Sequence, residues 1–148
     1  MNGHSSFTIL SALHRNGTGR LASIDVREDV GRLVTAALAE RWIKIILAGR
    51  RPNLEVLRSR LSDLGPVGLF FHDGDHRLIG QLVDYRLAAD LLSEDGIVMS
   101  DDINTSSAWL EASALGIFPA QQVVLFDLRK AVGFAQRRGP DFPTRFGG

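Results

Sequence analysis

Residues 65–80 read GPVGLFFHDGDHRLIG, an apolar run from Val67 to Phe71 that ends abruptly in His72, Asp73, Asp75 and His76. A short apolar segment bounded by Gly-Pro on one side and by charge on the other reads as a buried strand. Beyond the charges, Leu78, Leu82, Tyr85, Ala89 and Leu92 recur at helical spacing. The unit is therefore a strand, a polar loop and a helix, and its chemistry is concentrated where the strand stops.

The same alternation continues in both directions. Ser5-Ser6 can cap a helix from about Phe7 to His14, and RNGTGR (15–20) is a turn. LASIDV (21–26) is a short buried strand reaching Asp25. Asp29 to Arg41 reads as a helix with Val30, Leu33, Val34, Ala37 and Leu38 on one face. IKIILAG (43–49) is a second strand, and Asn53 caps a helix over LEVLRSRL (54–61). On the C-terminal side, EDG (94–96) turns the chain into IVMS (97–100), a strand that reaches Asp101-Asp102. Thr105 to Leu115 is helical, and QVVLFDL (122–128) and AVGFAQR (131–137) are two adjacent strands. One domain over residues 1–138 and a loose tail over 139–148 follow. Apolar strands alternating with helices predict an α/β fold, a three-layer sandwich with a mostly parallel sheet covered on both faces. The last two strands have no helix between them, so a C-terminal strand is antiparallel.

Composition narrows the function. Seventeen basic residues, 15 of them Arg, balance 17 acidic ones, so no overall field favours nucleic acid or an anionic membrane. There is no Cys, which excludes disulfides, thiolate catalysis and Cys-ligated zinc. No apolar run approaches the length of a membrane span, and MNGHSSFTIL has neither the basic region nor the apolar core of a signal peptide. A cytoplasmic location is the expectation.

In parallel sheets ligands bind beyond the carboxyl ends of the strands. Asp25, the HDGDH cluster and Asp101-Asp102 all fall there. Asp73, Asp101 and Asp102 are three carboxylates from two strand ends, and their mutual repulsion would be relieved by a divalent cation with all-oxygen ligation, Mg²⁺ for example. The alternative is that they are caps and solvated turn groups. His76 can serve as a general base near neutral pH, or it is an exposed His at a helix start. His72, inside the strand end, reads as a satisfied core group. Asp25 can accept hydrogen bonds from ribose hydroxyls, or it is a turn residue. NGHSS (2–6) can present backbone N–H groups to an anion at a helix start, a weak motif with one glycine.

Together these pieces resemble the class I S-adenosylmethionine-dependent methyltransferases, whose fold is Rossmann-like. The nearest likeness is to small-molecule O-methyltransferases with a DGDHSY…D…L…GG…DD signature: the macrocin-type sugar enzymes and the metal-dependent catechol and caffeoyl-CoA enzymes. The matching stretches are NGHSSFTILSAL (2–13), GRLASIDV (19–26), LFFHDGDHRLIGQLVDYRLAADLLSEDGIVMSDDI (69–103) and VVLFDLRKAVGFAQR (123–137). The third is the specific one. The resemblance implies that Gly3, His4 and Ser5 belong to the end of the cofactor loop and that Asp25 holds the ribose. Gly49 falls near the adenine, although Arg50-Arg51 follow where a polar partner is usual. Asp73, Asp101 and Asp102 match the family's metal ligands, with Asp73 also beside the cofactor, and His76 falls at the position of the base. It implies methyl transfer from S-adenosylmethionine to a hydroxyl of a sugar or phenol, assisted by Mg²⁺ or another divalent cation.

The family places a strand with an acidic residue, and the first half of the cofactor loop, before Gly3. Relative to it this chain is N-terminally truncated, and the strands at Leu21–Asp25 and Val67–Phe71 lack the neighbour between them. Three explanations stand: a fragment or misassigned start, a gap filled by another segment or chain, or direct pairing of the flanking strands. Exposed edges of this kind invite self-association into a homo-oligomer. The competing functions are an inactive remnant or binding module of the same fold, and a metal-dependent hydrolase built on HDGDH and Asp101-Asp102. A nicotinamide-linked oxidoreductase lacks its G-x-G-x-x-G.

Overall fold

The computed structural model describes residues 3–47, 54–118, 120–126 and 130–136. It divides into two compact units, Met1–Leu57 and Arg58–Gly148.

The first unit contains α1 (His4–Asn16), β1 (Leu21–Asp25), α2 (Ala36–Ala39) and β2 (Trp42–Ile46). α1 buries Leu10 completely and stops at Gly17, whose N–H bonds to the His14 carbonyl. Its C-terminal turn is clamped by Arg41, which donates to the carbonyls of Gly17 and Gly19 at 2.9 and 3.1 Å. β1 and β2 pair in parallel from Leu21↔Trp42 to Asp25↔Ile46, and the Trp42 indole N–H donates to Ser23 Oγ at 2.9 Å.

The helix expected over Asp29–Arg41 is reduced to the four residues of α2. Two local features stop it. Asp29 is held by the Arg27 guanidinium in a salt bridge of 2.6 Å, which keeps its carboxyl down at about 2. Gly31 lies at φ +82 with the Trp42 ring against it, so that a Cβ there would overlap the indole. A left-handed glycine under an aromatic ring interrupts helical backbone whatever the periodicity of its neighbours.

α3 (Leu54–Ser62) spans the boundary between the units and buries Leu57 and Leu61. The second unit continues with β3 (Val67–His72), α4 (Leu78–Leu91), β4 (Leu92–Ser100), a 3₁₀ turn (Ile103–Thr105), α5 (Ala108–Ala114), β5 (Ala120–Phe126) and β6 (Lys130–Gln136). The sheet order is β3-β4-β6-β5; β3 and β4 are parallel, and β6 is antiparallel to both of its neighbours. The predicted antiparallel C-terminal strand is thus β6, inserted between β4 and β5.

Two boundaries differ from the sequence reading. The EDG turn lies within β4, as an irregularity: between Val67 and Leu69 the paired residue jumps from Leu92 to Ile97. The helix expected over Thr105–Leu115 splits at Ser106, whose hydroxyl accepts the N–H of Ala108 at 3.1 Å and opens α5.

The core of the second unit lies where α4 and α5 cover the sheet. Tyr85, Trp109 and Phe118 form an aromatic cluster with ring centroids 5.5 to 6.1 Å apart, edge-on or tilted, and Val98, Ala131 and Ala135 supply the strand side. That geometry adds to plain area burial. Gly133 of β6 makes room for it, because a Cβ there would overlap the Trp109 ring.

Among the described residues there are two sheets, β1–β2 and β3–β4–β6–β5, and both β1 and β3 are edge strands.

Candidate functional site

The residues singled out in the sequence fall into two groups, one in each unit. In the first unit, Gly3 caps α1 with φ 82 and ψ 30, and its backbone lies so close to Gly31 that a Cβ would sit 2.6 Å from the Gly31 Cα. His4 and Ser5 are exposed at the start of the helix. Among the described residues no side chain caps α1, and no acidic residue stands in its first turn. Asp25 ends β1, and its Oδ1 accepts the backbone N–H of Arg27 at 2.9 Å. The turn role is therefore realised, while Oδ2 carries no hydrogen bond among the described residues. Gly49 lies outside the described residues.

In the second unit the parallel pairing of β3 and β4 carries both strand ends to one edge. The Asp101 N–H donates to the His72 carbonyl at 2.9 Å and extends the ladder past Ser100. Beneath this edge runs a chain of polar contacts. Asp84 Oδ2 is 3.1 Å from His72 Nε2, and Ser100 Oγ is 3.4 Å from His72 Nδ1 and 2.8 Å from the Tyr85 hydroxyl. Carboxylate, imidazole and hydroxyl follow one another as in a nucleophile relay. Ser100 is fully buried, however, and is engaged by Tyr85. The chain is a support for the strand ends, as expected of His72. Burial is the main cause that pushes the Tyr85 phenol above its ordinary value of 10.0.

Asp101, Asp102 and Asp73 lie above this support. Asp101 is nearly buried; its Oδ1 accepts the Asp102 N–H at 3.0 Å, and its Oδ2 lies 2.6 Å from Lys130 Nζ. Asp102, in the left-handed region at φ 49, points Oδ1 at the same ammonium from 3.9 Å. Asp73 is exposed and adds a weaker attraction to Lys130. The hydrogen bond to Asp101 is the main cause that raises the pKa of Lys130, so the cation stays charged.

This arrangement does not fit the metal expected on Asp73, Asp101 and Asp102. Both oxygens of Asp101 are committed, one to backbone and one to an ammonium. Among the described residues no three acidic or His side chains converge as a ligand set.

His76 is half-buried one residue before the cap of α4, with its ring edge-on to His72 at 6.5 Å between centroids. Its Nδ1 is buried and has no hydrogen-bond partner among the described residues. The loop that carries it is pinned by Asp75, which accepts the Arg77 N–H at 3.0 Å and pairs with the Arg77 guanidinium. Asp75 is thus a turn group.

Three residues escaped the sequence reading. Lys130 carried one signal: it is one of two lysines in a chain whose other cations are all Arg. Asp84 sits in the helix next to Tyr85 with nothing in its spacing to pair it with His72. Gln81 is fully buried, accepts a hydrogen bond from Ser106, and leaves Nε2 without a partner among the described residues.

Comparison with known proteins agrees with this architecture. A family model described as a methyltransferase domain matches residues 1–103. No curated protein sequence matches the chain. Among solved structures, spermidine synthase in complex with the transition-state analogue AdoDATO superposes with a TM-score of 0.51 at 17% identity, covering 93% of this chain and 51% of that one. Spermidine synthase from Thermotoga maritima gives a TM-score of 0.49 at 15% identity, with the same coverage of 93% and 51%. The chain spans about half the length of these structures. Among the described residues no helix is long and apolar enough to cross a membrane. The chain belongs to the matched family of methyltransferase domains and has the class I fold of S-adenosylmethionine-dependent methyltransferases.

Proposed function

We propose that this domain transfers the methyl group of S-adenosylmethionine to a hydroxyl of a small molecule, a sugar or a phenol. The observation that carries the reading is the family match over residues 1–103, which takes in the start of α1, Asp25, His76 and Asp101-Asp102. Two features of the first unit fit the cofactor: Gly3 approaches Gly31 closely at the start of α1, and Asp25 Oδ2 has no hydrogen bond among the described residues. Gly3 and the first-turn N–H groups would hold the carboxylate of the methionine part, and Asp25 would accept from the ribose hydroxyls.

S-adenosylmethionine supplies an electrophilic methyl on a good leaving group. The protein must align the acceptor oxygen and take its proton. His76, half-buried just before α4, would supply an imidazole for this. The imidazole would take the proton of the acceptor hydroxyl and later return it to water. The support running from Asp84 through His72 and Ser100 to Tyr85 holds the two strand ends in place beneath it.

The test is transfer of isotopically labelled methyl from S-adenosylmethionine to a panel of sugars and catechols, with the product resolved by mass spectrometry. O-methylated product, lost in His76→Ala, is the expected result. A folded chain that binds the cofactor but methylates nitrogen or carbon, or turns over equally well without His76, overturns the reading.

A further inference from the structure

The acidic edge of the second unit already holds a cation, and that cation is part of the chain. Asp101 and Asp102 are adjacent, and Asp101 is nearly buried while Asp102 is half-exposed, so water relieves their repulsion and the desolvation of Asp101 only in part. Lys130 meets both, at 2.6 Å from Asp101 Oδ2 and 3.9 Å from Asp102 Oδ1. The sheet dictates this meeting. β6 runs antiparallel to β4 with Gly133 opposite Ser100, so the first residue of β6, Lys130, lies past the end of β4, from where its side chain reaches Asp101 and Asp102. The residue type also fits. An ammonium is a compact point charge with three donors and can sit between two carboxylates, where a planar guanidinium would commit to one. In a chain with 15 Arg and two Lys, the other being Lys44 in β2, this position carries Lys.

We propose that Lys130 is the resident counter-cation of Asp101 and Asp102 and that it stands in place of a divalent metal at this strand end. The ammonium touches the oxygen that a metal would need, and a second cation there would face the charge of the first. Asp101 cannot turn its other oxygen outward without giving up the Asp102 N–H. The inference concerns occupancy of the carboxylates and does not depend on methyl transfer being the activity.

The test uses Mn²⁺ as probe on the full 148-residue chain. Binding is read by electron paramagnetic resonance of the free ion, and its place by paramagnetic broadening of backbone amides. The wild-type chain is expected to show no saturable binding at millimolar Mn²⁺ and no selective broadening at 100–104. Lys130→Met, which keeps the aliphatic stem, is expected to bind Mn²⁺ at least about tenfold more tightly, with broadening at that segment. Asp101→Asn added to it should abolish the gain. Wild-type binding with selective broadening at 100–104 overturns the proposal, as does a folded Lys130→Met chain that binds no more tightly than wild type. Lys130→Gln serves the same comparison if the Met variant does not fold, and the wild-type measurement is decisive alone if it shows binding.

Discussion

The contact between Tyr85 and Ser100 offers a quantitative test of the support beneath the strand ends. Both residues are fully buried, and their hydroxyls are 2.8 Å apart. Ser100 Oγ has two other neighbours, His72 Nδ1 and the Asp101 carbonyl, each at 3.4 Å, too long to replace Tyr85 in full. Tyr85→Phe therefore removes one net hydrogen bond and strands most of the hydroxyl of Ser100, a loss of about 1–2 kcal/mol. Ser100→Ala strands the Tyr85 hydroxyl and costs a similar ~1–2 kcal/mol. In the double variant no polar group is left unpaired by the other's absence, so its cost should stay near that of one single variant. The coupling is then about 1–2 kcal/mol. Urea unfolding followed by tryptophan fluorescence measures all four corners of the cycle, and Trp109, 5.5 Å from Tyr85, reports the same core. Additivity of the two substitutions within ~0.5 kcal/mol would refute the reasoning, because independent sites add to that precision.

The other predictions concern single groups. Tyr85 is the only Tyr in the chain, so tyrosinate absorbance follows it alone; the midpoint is expected above 10.0, and a midpoint at or below 10.0 contradicts the burial argument. By linkage the folded state holds this proton more tightly than the unfolded one. The contribution to stability is complete below pH 10.0 and is lost as pH rises through the folded-state pKa, and Tyr85→Phe should lack that component. Gly133→Ala pushes a methyl into the Trp109 ring from the middle of a paired strand and should cost about 1–3 kcal/mol in urea unfolding. His76→Ala should leave that unfolding curve within about 0.5 kcal/mol of wild type and lower methyl transfer by about 10²–10⁴-fold.

The parts of the fold legible in the sequence are those set by local periodicity and termination. Val67 to Phe71 reads as a strand because it is a short apolar run bounded by Gly-Pro and by charge, yet among the described residues it is an edge strand with Leu69 exposed and not the buried strand expected. α4 reads as a helix because Leu78, Leu82, Tyr85, Ala89 and Leu92 recur at helical spacing. What escaped depends on side-chain partners that periodicity does not reveal, near or far in sequence. The residues 29–41 have the periodicity of a helix, yet Gly31 answers to Trp42 and Asp29 to Arg27, and those contacts prevail over spacing. His72 was legible as a satisfied core group because it ends an apolar run, although its partners Asp84 and Ser100 were not named by any spacing.

The acidic site was half legible for the same reason. Three carboxylates at two strand ends imply a cation, and repulsion between clustered carboxylates with all-oxygen ligation points to a divalent metal, which the resemblance also carries. The identity of the cation depends on which residue β6 delivers opposite Asp101-Asp102. That is a matter of strand register, and register between β4 and β6 cannot be read from either strand alone. Asp25 shows the complementary case: the turn reading and the ribose reading are compatible, since the Arg27 N–H takes one oxygen and leaves the other.

The central functional claim is that α1 and Asp25 form the cofactor half of a methyltransferase site. Calorimetric titration of the 148-residue chain with S-adenosylhomocysteine tests it most directly. The account predicts saturable one-to-one binding that Asp25→Ala weakens by about tenfold or more, the loss of hydrogen bonds to one carboxylate. A folded chain that takes up no S-adenosylhomocysteine, or that binds it equally well without the Asp25 carboxylate, would contradict it.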